Sequence, residues 1–275
     1  MSQTVLLTGA TGFVGRQVLK ALLEKSAKVR LVVRDGKQNR FDPGDQIETI
    51  LVTPDLFSET QCWWEKACRD VDTVIHVAWY AEPGKYLQSE KNLDCLSGTL
   101  TLAKACVKMG IRRFVGVGTC FEYDPSPGYL STQSQLKPTT PYAAAKAAAF
   151  LVLSQYFDAT GVEFVWCRLF YLYGTGEDER RLVPYLRAKL AAGEIAGLTS
   201  GNQIRDFMDV QEAGHMIAEV ARSSQKGPVN ICSAVPTTVR ALAEKIADEY
   251  GRRDLLRFGA RADNLIDPPC VVGIR

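Results

Sequence analysis

Tyr142 and Lys146, separated by three alanines, place a phenol and an ammonium on one face of a helix. A phenol with a pKa of about 10 is a poor acid and a poor base at neutral pH. An adjacent ammonium favours the phenolate and lowers that value, which turns the phenol into a usable proton carrier. The lysine can also bond the ribose of a nicotinamide, tying a proton donor to a hydride donor. Thr119 closes an apolar run that reads as a strand. A hydroxyl at a sheet's carboxyl end can hydrogen-bond the substrate oxygen that Tyr142 protonates.

A hydride donor of this kind is a dinucleotide, and the chain opens with a turn suited to a pyrophosphate. The run Thr8-Gly9-Ala10-Thr11-Gly12-Phe13-Val14-Gly15 follows an apolar strand and leads into a helix. Gly9 permits the tight turn, Gly12 keeps a side chain out of the phosphate's path, and Gly15 lets helix and strand pack together. Thr11, Phe13 and Val14 complete the turn, and the helix N-terminus behind them faces the negative charge. The end of the second strand, Val32-Val33-Arg34-Asp35, selects the dinucleotide. An acid there accepts hydrogen bonds from a ribose 2′-hydroxyl, whereas an arginine pairs with a 2′-phosphate. Side-chain alternation puts Arg34 at that point, which favours NADP; Asp35 beside it keeps NAD open. Asp55-Leu56 follows the third strand, where a carboxylate can meet the adenine amino group or simply cap a turn.

The elements that must position these residues alternate along the chain. Residues 5–7, 29–33, 47–52, 71–77, 114–117 and 163–168 read as strands, with helices at 13–25, 93–109 and 142–156. Val- and Ile-rich strands alternating with helices predict an α/β fold, a doubly wound parallel sheet of the Rossmann kind. Past Gly174 comes a charged stretch from Glu177 to Arg181, then a helix at 183–192, a short strand and helix at 207–222, and a helix at 237–250. The last dozen residues, with Pro268-Pro269, read as irregular. Residues 1–170 are expected to form the dinucleotide-binding domain and 171–275 a smaller substrate lobe, with some segments returning to the sheet.

The chain has 275 residues, 46% apolar and 23% charged, with a net charge of +2. It carries no basic run and no apolar stretch of membrane-spanning length, so neither nucleic acid nor a membrane is expected as partner. A strand starts within a few residues of the N-terminus and leaves no room for a signal peptide, which predicts a cytoplasmic protein. The eight cysteines are scattered, without CxxC and without histidine at ligand spacing. They read as free thiols, and no metal is expected. Of the two histidines, His76 reads as a satisfied core residue and His215 as part of a lobe helix.

TGATGFVG, VIHVA (Val74 to Ala78), GTCFEY, PYAAAK, RLFYLYG (Arg168 to Gly174) and IRDFMDV (Ile204 to Val210) follow one another in that order. Together, over essentially the whole chain, they resemble the extended short-chain dehydrogenase/reductases of the nucleotide-sugar epimerase, dehydratase and reductase group. The resemblance makes Thr119, Tyr142 and Lys146 the catalytic triad and carries Val77 and Ala78 to the cofactor. It puts Trp79, Cys120, Phe121, Tyr171 and Arg205 at the substrate. Arg205 would pair with the nucleotide diphosphate; the competing role is a surface ion pair with Asp206 or Glu212.

Departures from the family pattern narrow the activity. The 4,6-dehydratases carry Asp-Glu directly after the threonine; here Cys120 and Phe121 stand there, so dehydration is not expected. Tyr171 replaces the asparagine of RxFNxYG. The usual asparagine three residues before Gly98-Thr99 is Cys95, with Asn92 one turn earlier. Cys120 reads as a pocket-lining thiol, since 3,5-epimerisation through it would need a second base.

NADPH-dependent reduction of a 4-keto-6-deoxy nucleotide sugar fits this pattern first. A nucleotide-sugar 4-epimerase holding NAD tightly would use the same triad. A reductase of a non-sugar carbonyl would give Arg205 no phosphate to meet. A cofactor-sensing module without turnover typically lacks the tyrosine or the lysine, and both are present. Apolar residues on the two long helices (Leu96, Leu100, Phe150, Leu153) match the family's four-helix dimer seam, so a homodimer is expected. Related chains generally continue past Ile274-Arg275, which leads us to expect a final helix that is missing or replaced.

Overall fold

The computed structural model describes residues 4–264 and 267–275. Strand β1 (Thr4–Thr8) is buried along its whole length, as an unbroken apolar run inside a parallel sheet must be. There follow α1 (Gly15–Glu24), β2 (Lys28–Arg34), β3 (Ile47–Thr53), α2 (Gln61–Ala67), β4 (Thr73–His76), α3 (Lys91–Lys108) and β5 (Arg113–Thr119). Next come β6 (Tyr129–Leu130), α4 (Pro141–Thr160), β7 (Glu163–Leu169), β8 (Tyr171–Tyr173), α5 (Leu182–Ala191), β9 (Ala196–Gly197) and β10 (Ile204–Asp209). The chain ends with α6 (Val210–Arg222), β11 (Gly227–Ile231), β12 (Pro236–Thr238), α7 (Val239–Glu249), β13 (Leu256–Arg257) and β14 (Cys270–Gly273).

Seven strands form one parallel sheet in the order β3-β2-β1-β4-β5-β7-β11. This is the doubly wound arrangement expected from the sequence. The strand order turns back between β1 and β4, and such sheets bind ligands at that switch point, beyond the carboxyl ends of the strands. One face is covered by α1 and α6 around Val18, Leu22 and Ile217. The other is covered by α2, α3 and α4 around Trp64, Leu102 and Phe157. A second sheet joins β12, β10, β14 and β6, with β8 also on β10; β9 and β13 pair separately. Helices α5 and α7 pack together there through Leu186, Leu190, Leu242 and Ile246.

Three expectations are corrected. Helix α6, read as part of the lobe, lies on the large sheet against α1. Gly214 comes so close to Gln17 that a Cβ would sit 2.6 Å from it, and His215 reaches Glu24 of α1 at 2.9 Å. The C-terminal residues are not all irregular, because β14 lies between β10 and β6. Asp206 accepts the Gly273 N–H at 3.1 Å and Asn230 donates to the Ile274 carbonyl at 2.9 Å. Those ties come from distant residues, which is why the short run after Pro268-Pro269 conceals the strand. Finally, Leu153 is a core residue, because the buried stripe of α4 runs Ala145, Ala149, Leu153 and Phe157. Leu96, Leu100 and Phe150 pack partly against the same core, and the large apolar residues that α3 and α4 expose are Leu93, Leu151 and Val152.

Candidate active site

A cavity of about 470 Å³ opens over the carboxyl ends of β1, β4 and β5. Apart from Arg205, every residue assigned from sequence to cofactor, substrate or catalysis lines it. The glycine turn forms one end. Gly9 has φ +78°, and a Cβ there would stand 2.7 Å from the Ala78 nitrogen. At Gly15 a Cβ would overlap the Gly9 carbonyl oxygen, so any side chain would push α1 off the turn. No described side chain caps α1; the Arg16 N–H donates to the Gly12 carbonyl at 3.2 Å, and those of Gln17 and Val18 to the Val14 carbonyl at 3.0 and 3.1 Å. A close backbone cradle at the N-terminus of a helix fits a dinucleotide pyrophosphate.

Further along, Arg34 and Lys37 both face the cavity. The Asp35 carboxylate accepts the Gly36 N–H at 2.8 Å and so serves its own turn. Lys37 was not picked out from sequence, because nothing in its spacing separates it from a solvated loop lysine. Of the two roles considered for Asp55, the structure shows the turn cap. It lines the cavity, and it caps a short 3₁₀ turn by accepting Phe57 N–H at 3.0 Å and the Ser58 hydroxyl at 3.2 Å.

His76 ends β4 and is buried. Its Nδ1 meets the Thr8 hydroxyl at 2.9 Å and its Nε2 the Thr99 hydroxyl at 3.0 Å. Thr99 spends its one proton on the Cys95 carbonyl at 2.7 Å, so it must accept from Nε2. Thr8 accepts the Ala78 N–H at 3.2 Å and gives its proton to Nδ1. Every hydrogen is accounted for only if the ring is neutral and protonated on Nε2. Burial pulls the imidazole down to about 3, in keeping with that form. His76 is thus the satisfied core residue that its strand position suggested.

Thr119 ends β5 and caps the turn behind it. Its hydroxyl accepts the Phe121 N–H at 3.3 Å, and its own N–H donates to Glu122 at 2.8 Å. Glu122, fully buried, also accepts Trp166 Nε1 at 3.0 Å and Arg168 Nε at 2.6 Å. An unpaired carboxylate could not persist there; the arginine and the two N–H donors stabilise it. The sequence showed Glu122 only as a charge inside GTCFEY, and its partners lie on β7.

Tyr142 and Lys146 enter from α4. Thr140 caps that helix by accepting the Ala143 N–H at 3.2 Å, and Pro141 presets its first turn. The expected effect of Lys146 on the phenol is not what the structure shows. Burial and then the neighbouring Tyr86 push Tyr142 upward, while a hydrogen bond with Thr119 pulls it down. Lys146 instead donates to the Val117 carbonyl at 2.5 Å and lies 3.8 Å from the ring centre of Trp79. Burial lowers the ammonium to about 7. A buried ammonium takes a carbonyl and an aromatic face, and here Val117 and Trp79 supply them.

The substrate side is aromatic. Tyr86 stands edge-on to Tyr142 with ring centres 4.8 Å apart, and Tyr171 packs against Phe121 and Phe207. Burial holds the Cys120 thiol far above its usual value, so it contributes shape and not a thiolate. Arg205 does not face the cavity. It is 3% exposed, binds the Ile204 carbonyl and Asp267 at 2.8 and 2.7 Å, and lies under the Tyr171 ring. Its partner is therefore neither Asp206 nor Glu212; Asp206 accepts the N–H groups of Ser233, Ala234 and Gly273. On this side of the cavity the lining cation is Arg181, whose charge acts on Tyr86. Beside it Glu177 accepts the Gly174 N–H, and burial raises it to about 7. Both lay unassigned in the charged stretch that the sequence reading noted.

Among the described residues no group of three His, Cys, Asp or Glu is arranged for a metal ion, and no helix is long and apolar enough to cross a membrane. The fold and the cavity define a dinucleotide-binding enzyme of the Rossmann type. The family model for the NAD dependent epimerase/dehydratase family matches residues 5–232, and the chain belongs to that family. It is 26% identical over 251 residues to the dTDP-6-deoxy-L-talose 4-dehydrogenase (NAD(+)) of Aggregatibacter actinomycetemcomitans, covering 90% of both chains. It is 27% identical to the dTDP-6-deoxy-L-talose 4-dehydrogenase (NAD(P)(+)) of Kitasatospora kifunensis, over 90% of this chain and 79% of the other. Among solved structures, it superposes on the UDP-N-acetylglucosamine 4-epimerase of Methanobrevibacter ruminantium M1 with a TM-score of 0.85 at 24% identity, covering 99% and 89% of the chains.

Proposed function

We propose that this protein is an NADPH-dependent reductase of the C4 ketone of a 4-keto-6-deoxy nucleotide sugar. One observation carries the reading. The Thr119 hydroxyl, the Tyr142 phenol and the Lys146 ammonium share a single cavity with the glycine turn and the Arg34–Lys37 pair. The two 4-dehydrogenase relatives support it, because oxidation at C4 is the reverse of this reduction. Two cations at the ribose end suit a 2′-phosphate, with Asp35 engaged in its own turn.

A bound NADPH supplies the hydride. Thr119 holds the ketone oxygen, and Tyr142 gives it the proton as the carbonyl electron pair moves onto oxygen. A phenol held above its usual value stays protonated until then, as an acid for reduction should. Lys146 holds positive charge beside the phenolate that results. Arg181 in the cavity lining meets the diphosphate, in place of Arg205. The exposed Leu93, Leu151 and Val152 on α3 and α4 supply an apolar face for a homodimer.

The test is to mix the purified protein with NADPH and a 4-keto-6-deoxy nucleotide sugar and follow the reduced-nicotinamide absorbance. Stoichiometric consumption with formation of the 6-deoxy sugar is expected. Retained NAD, with inversion at C4 of a nucleotide sugar that carries a 4-hydroxyl and no net consumption of cofactor, would make it a 4-epimerase instead. No reaction with any such sugar would overturn the reading.

A further inference from the structure

Asn92, at the start of α3, is fully buried and makes three hydrogen bonds from one amide. Its Oδ1 accepts Trp79 Nε1 at 2.9 Å, and its Nδ2 donates to the Tyr86 and Ser89 carbonyls at 2.7 and 2.8 Å. An indole N–H can only donate and the carbonyls can only accept, so the partners fix which way the amide points. Aspartate would set an oxygen against two carbonyls, and leucine would strand an N–H and two carbonyl groups.

The two residues held this way cover the two groups assigned to the proton transfer. Trp79 presents its ring to the Lys146 ammonium at 3.8 Å, and Tyr86 stands perpendicular to the Tyr142 ring at 4.8 Å. Both covers come from the segment between β4 and α3, whereas Tyr142 and Lys146 belong to α4. One turn further along α3, the Cys95 sulfur accepts the Tyr80 N–H at 3.4 Å, a second tie on the same segment.

We propose that Asn92 is the positioning residue for the Tyr142–Lys146 pair, clamping Trp79 over the ammonium and Tyr86 against the phenol. This rests on the reading of Tyr142 and Lys146 as the proton-handling pair. The clamp keeps water from both groups, which is the main cause of their displaced proton affinities. The other titratable groups facing Lys146 are Glu122, Cys95 and His76, and those facing Tyr142 are Tyr86, Glu122 and Cys120. Glu122 is held by Trp166 and Arg168, and His76 by Thr8 and Thr99.

The test uses full-length Asn92→Leu and Asn92→Ser, with lysine, tyrosine and histidine labelled for NMR titration in the absence of ligand. Release of the covers should raise the Lys146 midpoint from about 7 towards ordinary lysine values and lower that of Tyr142. His76, held by Thr8 and Thr99, should stay near about 3, which separates a local opening from general loosening. With NADPH and the keto sugar, kcat should fall about tenfold while KM for NADPH stays within about twofold. Unchanged Lys146 and Tyr142 midpoints in either folded variant overturn the clamp. Should the parent turn over no keto sugar, the functional reading fails while the titration still decides the role of Asn92.

Discussion

Glu122 and Arg168 form an ion pair 2.6 Å long in which neither side chain reaches solvent. Removing one partner of a buried pair leaves the other charged and unpaired, at a cost of about 3–5 kcal/mol. For Glu122→Gln that corresponds to a loss of roughly 6–15 °C in Tm for a chain of this size. Calorimetry decides this, and a Tm within about 2 °C of the parent would mean that the pair does not hold the turn behind Thr119.

Arg34 and Lys37 stand at the ribose end of the cavity. A charge-assisted contact to a phosphate contributes about 1.5–3 kcal/mol, so Arg34→Ala should raise KM for NADPH about ten- to a hundredfold. KM for NADH should change little, since NADH has no 2′-phosphate. Equal losses with both cofactors would contradict selection through the 2′-phosphate.

Stability should depend on pH through Glu177. Burial raises its carboxyl from 4.5 to about 7, so the folded state binds more protons than the unfolded state between those values. Its contribution is fully present below pH 4.5 and is lost as pH climbs through about 7. Glu177→Gln stays neutral throughout. The Tm of the variant relative to the parent should therefore rise between about pH 5 and about pH 8. A difference that does not vary with pH would show that the carboxyl is not displaced.

The sheet and most of the cavity wall were legible in the sequence because each signal is local. A glycine turn after an apolar strand, or a tyrosine and lysine at helical spacing, fixes its geometry within a few residues. What escaped depends on partners far along the chain. Glu122 is intelligible only with Trp166 and Arg168 across the sheet, and β14 only with Asp206 and Asn230. Arg205 misled for the same reason. Its motif is local, but its direction is set by Asp267 and by the Tyr171 ring above it.

Leu151, 55% exposed on α4, lies on the apolar face assigned to the dimer. Leu151→Glu should convert a sedimenting dimer into a monomer with an unchanged Tm to within a few degrees. A parent chain that sediments as a monomer would remove the dimer from the account.

The most direct test follows the hydride itself. NADPH deuterated at its transferable position is incubated with a 4-keto-6-deoxy nucleotide sugar and either the parent or Tyr142→Phe. The account predicts deuterium at C4 of the sugar with the parent, and transfer slowed about 10²–10⁴-fold in the variant, with NADPH binding kept. Product without deuterium at C4, or a variant as fast as the parent, would contradict it.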